Sequence, residues 1–512
     1  MAQTFTEKTM TNKQRWTALI VLSVSLFVIM MDMTILIMAL PELVKDLGAT
    51  STQQLWIVDI YSLILAGLII TMSAVADRWG RKRTLLTGFA IFGIISLLVV
   101  FAESANYVIL LRAILGAAGA MIMPTTLSMI RTIFVDAKQR ATALAVWSAV
   151  SAVGAIIGPI VGGALLEYFP WQSTFLVNVP FAALSIAAGI FLLPESRDKN
   201  PARWDNVAAI LSVPGMVALV WSIKSFAKHG LGDVQAWLIL AAAIILLAAF
   251  IMRCLKSEQP LLDLRLFKNR SFTGGTIAAL ISMFAMAALI LLITQWLQVV
   301  QKLSPLQAGI YMLPMAFGSL IISLMAPSIA HRLGARIVVA GGLAVAGLGF
   351  LSMYMLGDPL TYSRIVLALV MIGAGTGSLA IASAIIMSST SSDKAGNAAA
   401  IEESMYDLGN VLGISILGSI SALFYRHYLN IGSFSGEGVT DALAEFANES
   451  VVGALEVSAQ TGIAGLAERA TAAFSNSLVS TGLIGGVILV AVSIVVFLLI
   501  PKSFDLSKQA HH

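Results

Sequence analysis

Charge is scarce in this sequence: Asp, Glu, Lys and Arg make up 11% of its 512 residues, where a soluble globular protein carries about 25%. No water-facing surface can be built from so little charge beside a hydrophobic share of 58%. Soluble enzymes, nucleic-acid binders and disordered chains are therefore excluded. Cysteine is limited to Cys254, which excludes an intrachain disulfide. Of the five histidines, His229, His331 and His427 fall in loops or at the ends of apolar runs, so histidine is not expected to carry protons through a membrane. A Gly-x-x-x-x-Gly-Lys-Ser/Thr loop is missing, and nothing in the chain points to ATP as its energy source. Short alternating segments of the kind that build a transmembrane β-barrel are missing too. The first apolar run is too long for a signal peptide and has no small-residue cleavage pattern after it.

What is present is a series of unbroken apolar runs of helical length, among them Trp16–Leu40 and Gly482–Ile500. Read between polar breaks they give fourteen spans, with 206–223 and 235–255 the seventh and eighth. The expectation is an all-α, multi-pass integral membrane protein. Of the 31 Lys and Arg, 23 fall in segments on the side of the N-terminus, seven fall on the other side, and Arg112 lies within span four. By the positive-inside rule both termini are cytoplasmic. The net charge of +4 comes from those loops and is no nucleic-acid footprint. Ala76-Asp77-Arg78-Trp79-Gly80-Arg81-Lys82 after span two is echoed by Ala330-His331-Arg332-Leu333-Gly334-Ala335-Arg336 after span ten, an internal repeat of the kind secondary transporters carry. Two six-helix halves, residues 1–200 and 271–512, would flank two additional helices and a linker at 201–270. The acidic segment 427–476 reads either as a helical hairpin or as a solvated loop on the outer face.

An ionisable side chain at the centre of a bilayer costs at least about 2.5–3.5 kcal/mol, yet Asp32, Asp59, Glu402, Glu403 and Asp407 all lie inside spans. They must face a cavity or one another. Structural ion pairing is the plainer alternative, but Arg112 is the one basic residue placed deep in a span, and one cation does not neutralise five acids. A buried carboxyl can bind a proton or pair with an organic cation, and if one acid does both, the two ligands exclude each other. Glu403 and Asp407, four apart, share a helix face; Glu402 points about 100° away from Glu403. Asp59, near the outer end of its span, is expected to be the most solvated of the five. Trp56 and Tyr61 near Asp59, Tyr406 beside Asp407, Trp296 and Tyr311 are candidates for the aromatic wall of a cation cavity. Packing or an interfacial aromatic belt is the alternative for these rings.

Several motifs resemble those of a known family. Ser73-Ala74-Val75-Ala76-Asp77-Arg78-Trp79-Gly80-Arg81-Lys82-Arg83 looks like the loop 2–3 signature of the major facilitator superfamily. Gly154-x-x-x-Gly158-Pro159-x-x-Gly162-Gly163 resembles its antiporter motif, and Arg112-x-x-x-Gly116 its proton-linked helix motif. Asp32-Met33-Thr34 with Ala39-Leu40-Pro41 is similar to the first helix of the fourteen-helix drug:proton antiporters. Within them the similarity is nearest to the quaternary-ammonium exporters, through Gln54-Leu55-Trp56-Ile57-Val58-Asp59-Ile60-Tyr61 and Glu402-Glu403-Ser404-Met405-Tyr406-Asp407. The resemblance implies the major facilitator fold in a bacterial cytoplasmic membrane, acting as a monomer without cofactor or metal. It implies export of lipophilic cations (quaternary ammonium antiseptics, cationic dyes, biguanides and diamidines) in exchange for protons. Asp32, Asp59, Glu402, Glu403 and Asp407 would be proton or cation sites, and Arg112 the partner of one of them, plausibly Asp32. Asp77, Arg78, Gly80 and Arg81 would form a conformational latch between the halves, and the glycines of span five a close helix contact beside the bend at Pro159. Ser319 stands where relatives that carry divalent cations have an acid, which counts against strong transport of dications. A proton-coupled uptake symporter and an exporter of a lipid or metabolite remain alternatives.

Overall fold

The structure, a computed structural model, describes residues 10–502 apart from 135, 198–204, 258, 259, 261, 356–359, 391–394, 432–439 and 464. Residues 201–204, 258, 259 and 261 of the expected 201–270 insert and residues 432–439 and 464 of the outer segment lie outside the described residues. Within them the chain is helical throughout, with no strand.

The first half comprises α1 (Asn12–Leu47), α2 (Ser51–Trp79), α3 (Arg81–Phe101), α4 (Ala105–Ile133), α5 (Ala137–Leu166) and α6 (Ser173–Leu192). Two helices follow, α7 (Asn206–His229) and α8 (Val234–Lys256). The second half comprises α9 (Arg270–Val300), α10 (Pro305–Leu333), α11 (Ala335–Met355), α12 (Tyr362–Ser388) and α13 (Ala395–Leu429). It continues through the short α14 (Asp441–Glu449) and α15 (Val451–Thr461) to the long α16 (Leu466–Leu499). Thirteen helices among the described residues are long and apolar enough to cross a membrane, and α5 adds a shorter apolar stretch, Ile157–Leu166. The chain is a multi-pass membrane protein. Its lipid-facing side chains are apolar, as at Leu238 and Ile245 on α8, each 68% exposed.

The repeat seen in the loops extends to the packing. In the first half α1 packs on α5, α2 on α4 and α3 on α6; in the second, α9 packs on α13, α10 on α12 and α11 on α16. Equivalent helices also start alike. Thr50 with Gln53 forms a capping box at the head of α2, and Ser304 with Gln307 does so at the head of α10, each satisfying two otherwise orphaned backbone donors. The α2–α3 and α10–α11 corners turn on Gly80 (φ 121°) and Gly334 (φ 93°), a conformation that a Cβ disfavours.

Helices α7 and α8 form an antiparallel pair, pinned at one end by Arg253 to Asp205 at 2.8 Å and near the other by the Phe226–Trp237 edge contact. The pair is not placed symmetrically: α7 lies against α2 of the first half and α13 of the second. The halves meet toward the end of the bundle that carries α14 and α15, called here the hairpin end. There Ser304 donates to Glu167 at 2.9 Å, Leu55 packs against Gly418, and Gly309 against the Pro159 carbonyl. Residues 441–461 do form a helical pair. Glu449 at its elbow holds Lys228 of α7 at 2.7 Å and accepts from the Ser51 N–H that opens α2 at 3.0 Å.

Candidate membrane-embedded ion sites

Small residues set the spacing of the site. A Cβ on Gly154 would stand 2.8 Å from the Phe27 carbonyl, one on Gly162 2.7 Å from Ile35 Cγ1, and one on Gly158 would overlap Thr34 Oγ1. The glycine face of α5 therefore lies directly on α1. Gly163, the last of the motif, faces the other half, against the Pro305–Leu306 backbone. Gly409 and Gly413 of α13 meet the carbonyls of Leu280 and Phe284 on α9 in the same manner. This second glycine ladder was legible in the four-residue spacing but stood outside any motif.

Three groups of ionisable residues result. In the first, Asp32 on α1 is buried, receives Arg112 Nη1 at 2.8 Å and Asn178 Nδ2 at 2.6 Å. Arg112 also donates from Nε to the Ile57 carbonyl at 3.2 Å, and its guanidinium lies 4.4 Å from the centroid of the Tyr61 ring. Gly116, one turn beyond Arg112, gives the room: a Cβ there would strike the Tyr61 carbonyl. Removing one member of such a buried pair strands a charge, at a cost of about 3–5 kcal/mol. Asn178 carried no sequence signal beyond being a polar residue in an apolar run.

In the second group, Asp59 is fully buried, contrary to the expectation that it would be the most solvated acid. Lys224 Nζ lies 2.7 Å from its Oδ2, Ser415 of α13 donates to the same oxygen at 2.6 Å, and the lysine nitrogen stands 4.1 Å from the centroid of Trp56. Lys224 was expected beyond the end of span seven. The helix instead continues to His229, which draws Lys224 into the contact of α7 with α2 and α13. Arg112 is therefore not the sole deep cation.

The third group is the acidic run on α13. Tyr406 donates to Glu402 Oε1 at 2.7 Å. No salt bridge among the described residues reaches Glu402, Glu403 or Asp407. Asp407 is buried and its Oδ2 is shielded from solvent with no hydrogen-bond partner. The buried hydroxyl of Tyr61 is likewise unpartnered, and Tyr61 lies within electrostatic reach of Asp32, Arg112 and Asp407 alike.

The remaining candidates sit elsewhere. Trp296 is fully buried and gives its indole N–H to Ser475 at 3.0 Å, and Tyr311 lies 4.3 Å from Tyr362, ring to ring. Both are packed among helices of the second half. Ser319 faces α12, where Thr376 donates to it at 3.4 Å. Asp77 accepts from Arg81 at 2.8 Å, Arg81 donates onward to Thr132 of α4 at 2.6 Å, and Glu195 accepts from the Lys82 N–H at 3.2 Å. A Cβ on Gly80 would stand 2.7 Å from Glu195 Oε1. The exposed Arg78 adjoins this network. These contacts of Asp77, Arg81, Lys82 and Glu195 lie within the first half and brace the α2–α3 corner.

Comparison with known proteins gives a consistent picture. The sequence profile of the Major Facilitator Superfamily matches residues 22–414. The chain is 39% identical over 492 residues to the multidrug efflux pump LfrA of Mycolicibacterium smegmatis, covering 95% of this chain and 97% of that one. It is 36% identical to the methyl viologen resistance protein SmvA of Salmonella typhimurium, over 79% of this chain and 82% of that one. Among solved structures, a bacterial homolog of the human lysosomal transporter Spinster, inward-facing and unoccupied, superposes with a TM-score of 0.66 over 96% of this chain and 98% of that one. At 16% identity that likeness speaks to the fold alone.

Proposed function

This chain belongs to the major facilitator superfamily, and on that premise we propose that it is a drug exporter that exchanges lipophilic organic cations for protons. It is a transporter and not an enzyme, and its relatives are named for multidrug efflux and for resistance to methyl viologen, a permanently charged organic cation. The observation that carries the cation and proton reading is the imbalance left after the ion pairs are assigned. Arg112 answers Asp32 and Lys224 answers Asp59, which leaves Glu402, Glu403 and Asp407 on one helix with no salt bridge to a cation among the described residues. A carboxyl so placed escapes the cost of a bare buried charge by carrying a proton or by receiving a cation.

Asp407 and Glu403, one turn apart, are the residues on which that exchange would turn. Glu402 is steadied by Tyr406, and Tyr61 relays the charge state of α13 to the Asp32–Arg112 pair. Cation entry and proton release at the same carboxyls couple the two fluxes, and closure at the hairpin end is one of the two alternating states. With fourteen membrane helices and both termini in the cytoplasm of a bacterial cell, the hairpin end is the outer one. The membrane potential then contributes about 2.3 kcal/mol per charge for each 100 mV. The nearness to quaternary-ammonium exporters belongs to the same proposal, with antiseptics and cationic dyes as substrates and a single chain as the working unit.

The test is ethidium uptake into everted membrane vesicles with and without an imposed pH gradient, for the natural protein and for Asp407→Asn. Gradient-driven uptake that disappears in the variant is the expected result. Uptake that survives in Asp407→Asn moves the exchange to Glu403, and no gradient-dependent uptake of any cationic dye by folded protein overturns the reading.

A further inference from the structure

The surroundings of Lys224 resemble a receptor for an organic cation more than an ordinary ion pair. Trp56 and Asp59 are three apart on α2, so ring and carboxylate face the same side of one helical turn. Between them stands the ammonium, 4.1 Å from the ring centroid and 2.7 Å from Asp59 Oδ2. An aromatic face and a carboxylate are what a quaternary ammonium or a lipophilic dye cation requires, because such a ligand has charge and apolar surface but no donor to place. The lysine already uses both features: its ammonium contacts the carboxylate at 2.7 Å and faces the ring at 4.1 Å. The carboxylate is unsaturated, since Oδ1 is shielded and unpartnered while Lys224 and Ser415 share Oδ2. Walls come from three bodies, α2 of the first half, Ser415 of the second and α7 of the inserted pair, and Ile60, Leu63, Val220 and Val411 pack beneath them.

We propose that Trp56 and Asp59, capped by Ser415 when the halves meet, form a station for the transported cation on its way out, and that the Lys224 ammonium is a tethered occupant holding that place while the hairpin end is closed. The proposal rests on the cation-export reading and assigns this site to the path that reading requires. Ser415 belongs to the second half, so the station is capped only while the halves meet. When they part, Ser415 withdraws, water reaches the carboxylate and the four-carbon stem lets the ammonium swing aside. The transported cation then takes its place between ring and carboxylate. When the halves close again, the lysine returns and expels the cation outward. The carboxylate is neutralised by either occupant, and the displaced ammonium goes into the water that the opening admits.

The experiment uses the purified full chain in nanodiscs and two readouts. Amine-reactive footprinting read by mass spectrometry follows Lys224, whose side chain is 1% exposed and therefore protected at rest. Saturating ethidium is expected to raise its modification several-fold, while a neutral lipophile leaves it unchanged. Ethidium affinity is measured in parallel: Lys224→Met removes the competitor and keeps the stem, and is expected to tighten binding about tenfold. Adding Asp59→Asn to Lys224→Met is expected to abolish that gain. Unchanged Lys224 modification in the ethidium-bound protein overturns the proposal, as does a gain that is absent in Lys224→Met or persists without Asp59. If Lys224→Met does not fold, footprinting of the natural protein decides alone. Ethidium transport by the natural protein is established first: its failure counts against cation export itself, whereas transport with a protected Lys224 overturns only the station.

Discussion

Replacing one glycine should move the transporter between conformations without unfolding it. A Cβ on Gly163 would lie 2.5 Å from the Leu306 nitrogen and 2.6 Å from the Pro305 carbonyl carbon. Both are backbone atoms, and both belong to the other half, so no rotamer change relieves the clash. Overpacking of this order costs about 1–3 kcal/mol. Because the strained contact exists only while the hairpin end is closed, that cost falls on one conformation and shifts the equilibrium away from it by about 5- to 150-fold. Gly154→Ala is the control: its Cβ would stand 2.8 Å from the Phe27 carbonyl, but α1 and α5 belong to the same half, so the strain burdens every conformation equally. Spin labels at Glu103 and Thr361, both exposed at the hairpin end of opposite halves, report the opening in a Cys254→Ser background. Gly163→Ala is expected to lengthen the distance between them with little change in melting temperature. Gly154→Ala is expected to lower the melting temperature and leave the distance unchanged. A Gly163→Ala protein with the closed distance and a lowered melting temperature would refute the assignment of this contact to the gate.

Arg112→Met is expected to destabilise the protein by about 3–5 kcal/mol, and Asp32→Asn in the same chain should restore most of that, as read from thermal unfolding in detergent. Glu449→Gln loses the charge that holds Lys228 and weakens the acceptor for Ser51, so it should raise the open fraction in the same spin-label assay; an unchanged distance would show that the elbow is not part of the closure. Trp296→Phe removes the hydrogen bond to Ser475, worth about 1 kcal/mol, and should leave ethidium transport intact; lost transport would return Trp296 to the cation path.

The apolar runs and the repeat were legible in the sequence because hydropathy and motif spacing are local properties, whereas the Asp32–Arg112 pair, 80 positions apart, was implied by the resemblance of its two motifs. What was not legible depends on lateral neighbours. Depth along a helix suggested that Asp59 would be solvated, but an inserted helix covers it from the side, and the covering residue lies 165 positions downstream. Lys224 follows an apolar run and precedes Lys228 by four residues, so the pair reads as a loop edge until the helix is seen to continue through both. At Asp77 the local neighbour is Arg81, one turn further on, which takes its carboxylate in this conformation, where the halves meet at the opposite end of the bundle.

The placement of α7 and α8 has a consequence for how molecules dissolved in the bilayer reach the interior. A bundle of two equivalent halves has two seams open sideways to lipid, one where α2 meets α13 and one where α5 meets α10. The inserted pair lies along the first, with α7 against both of its walls, and roofs it over. The second carries no such cover. The otherwise two-fold bundle is thereby given a front and a back: sideways access from the bilayer is barred by an added helix on one side and by the α5–α10 contact on the other.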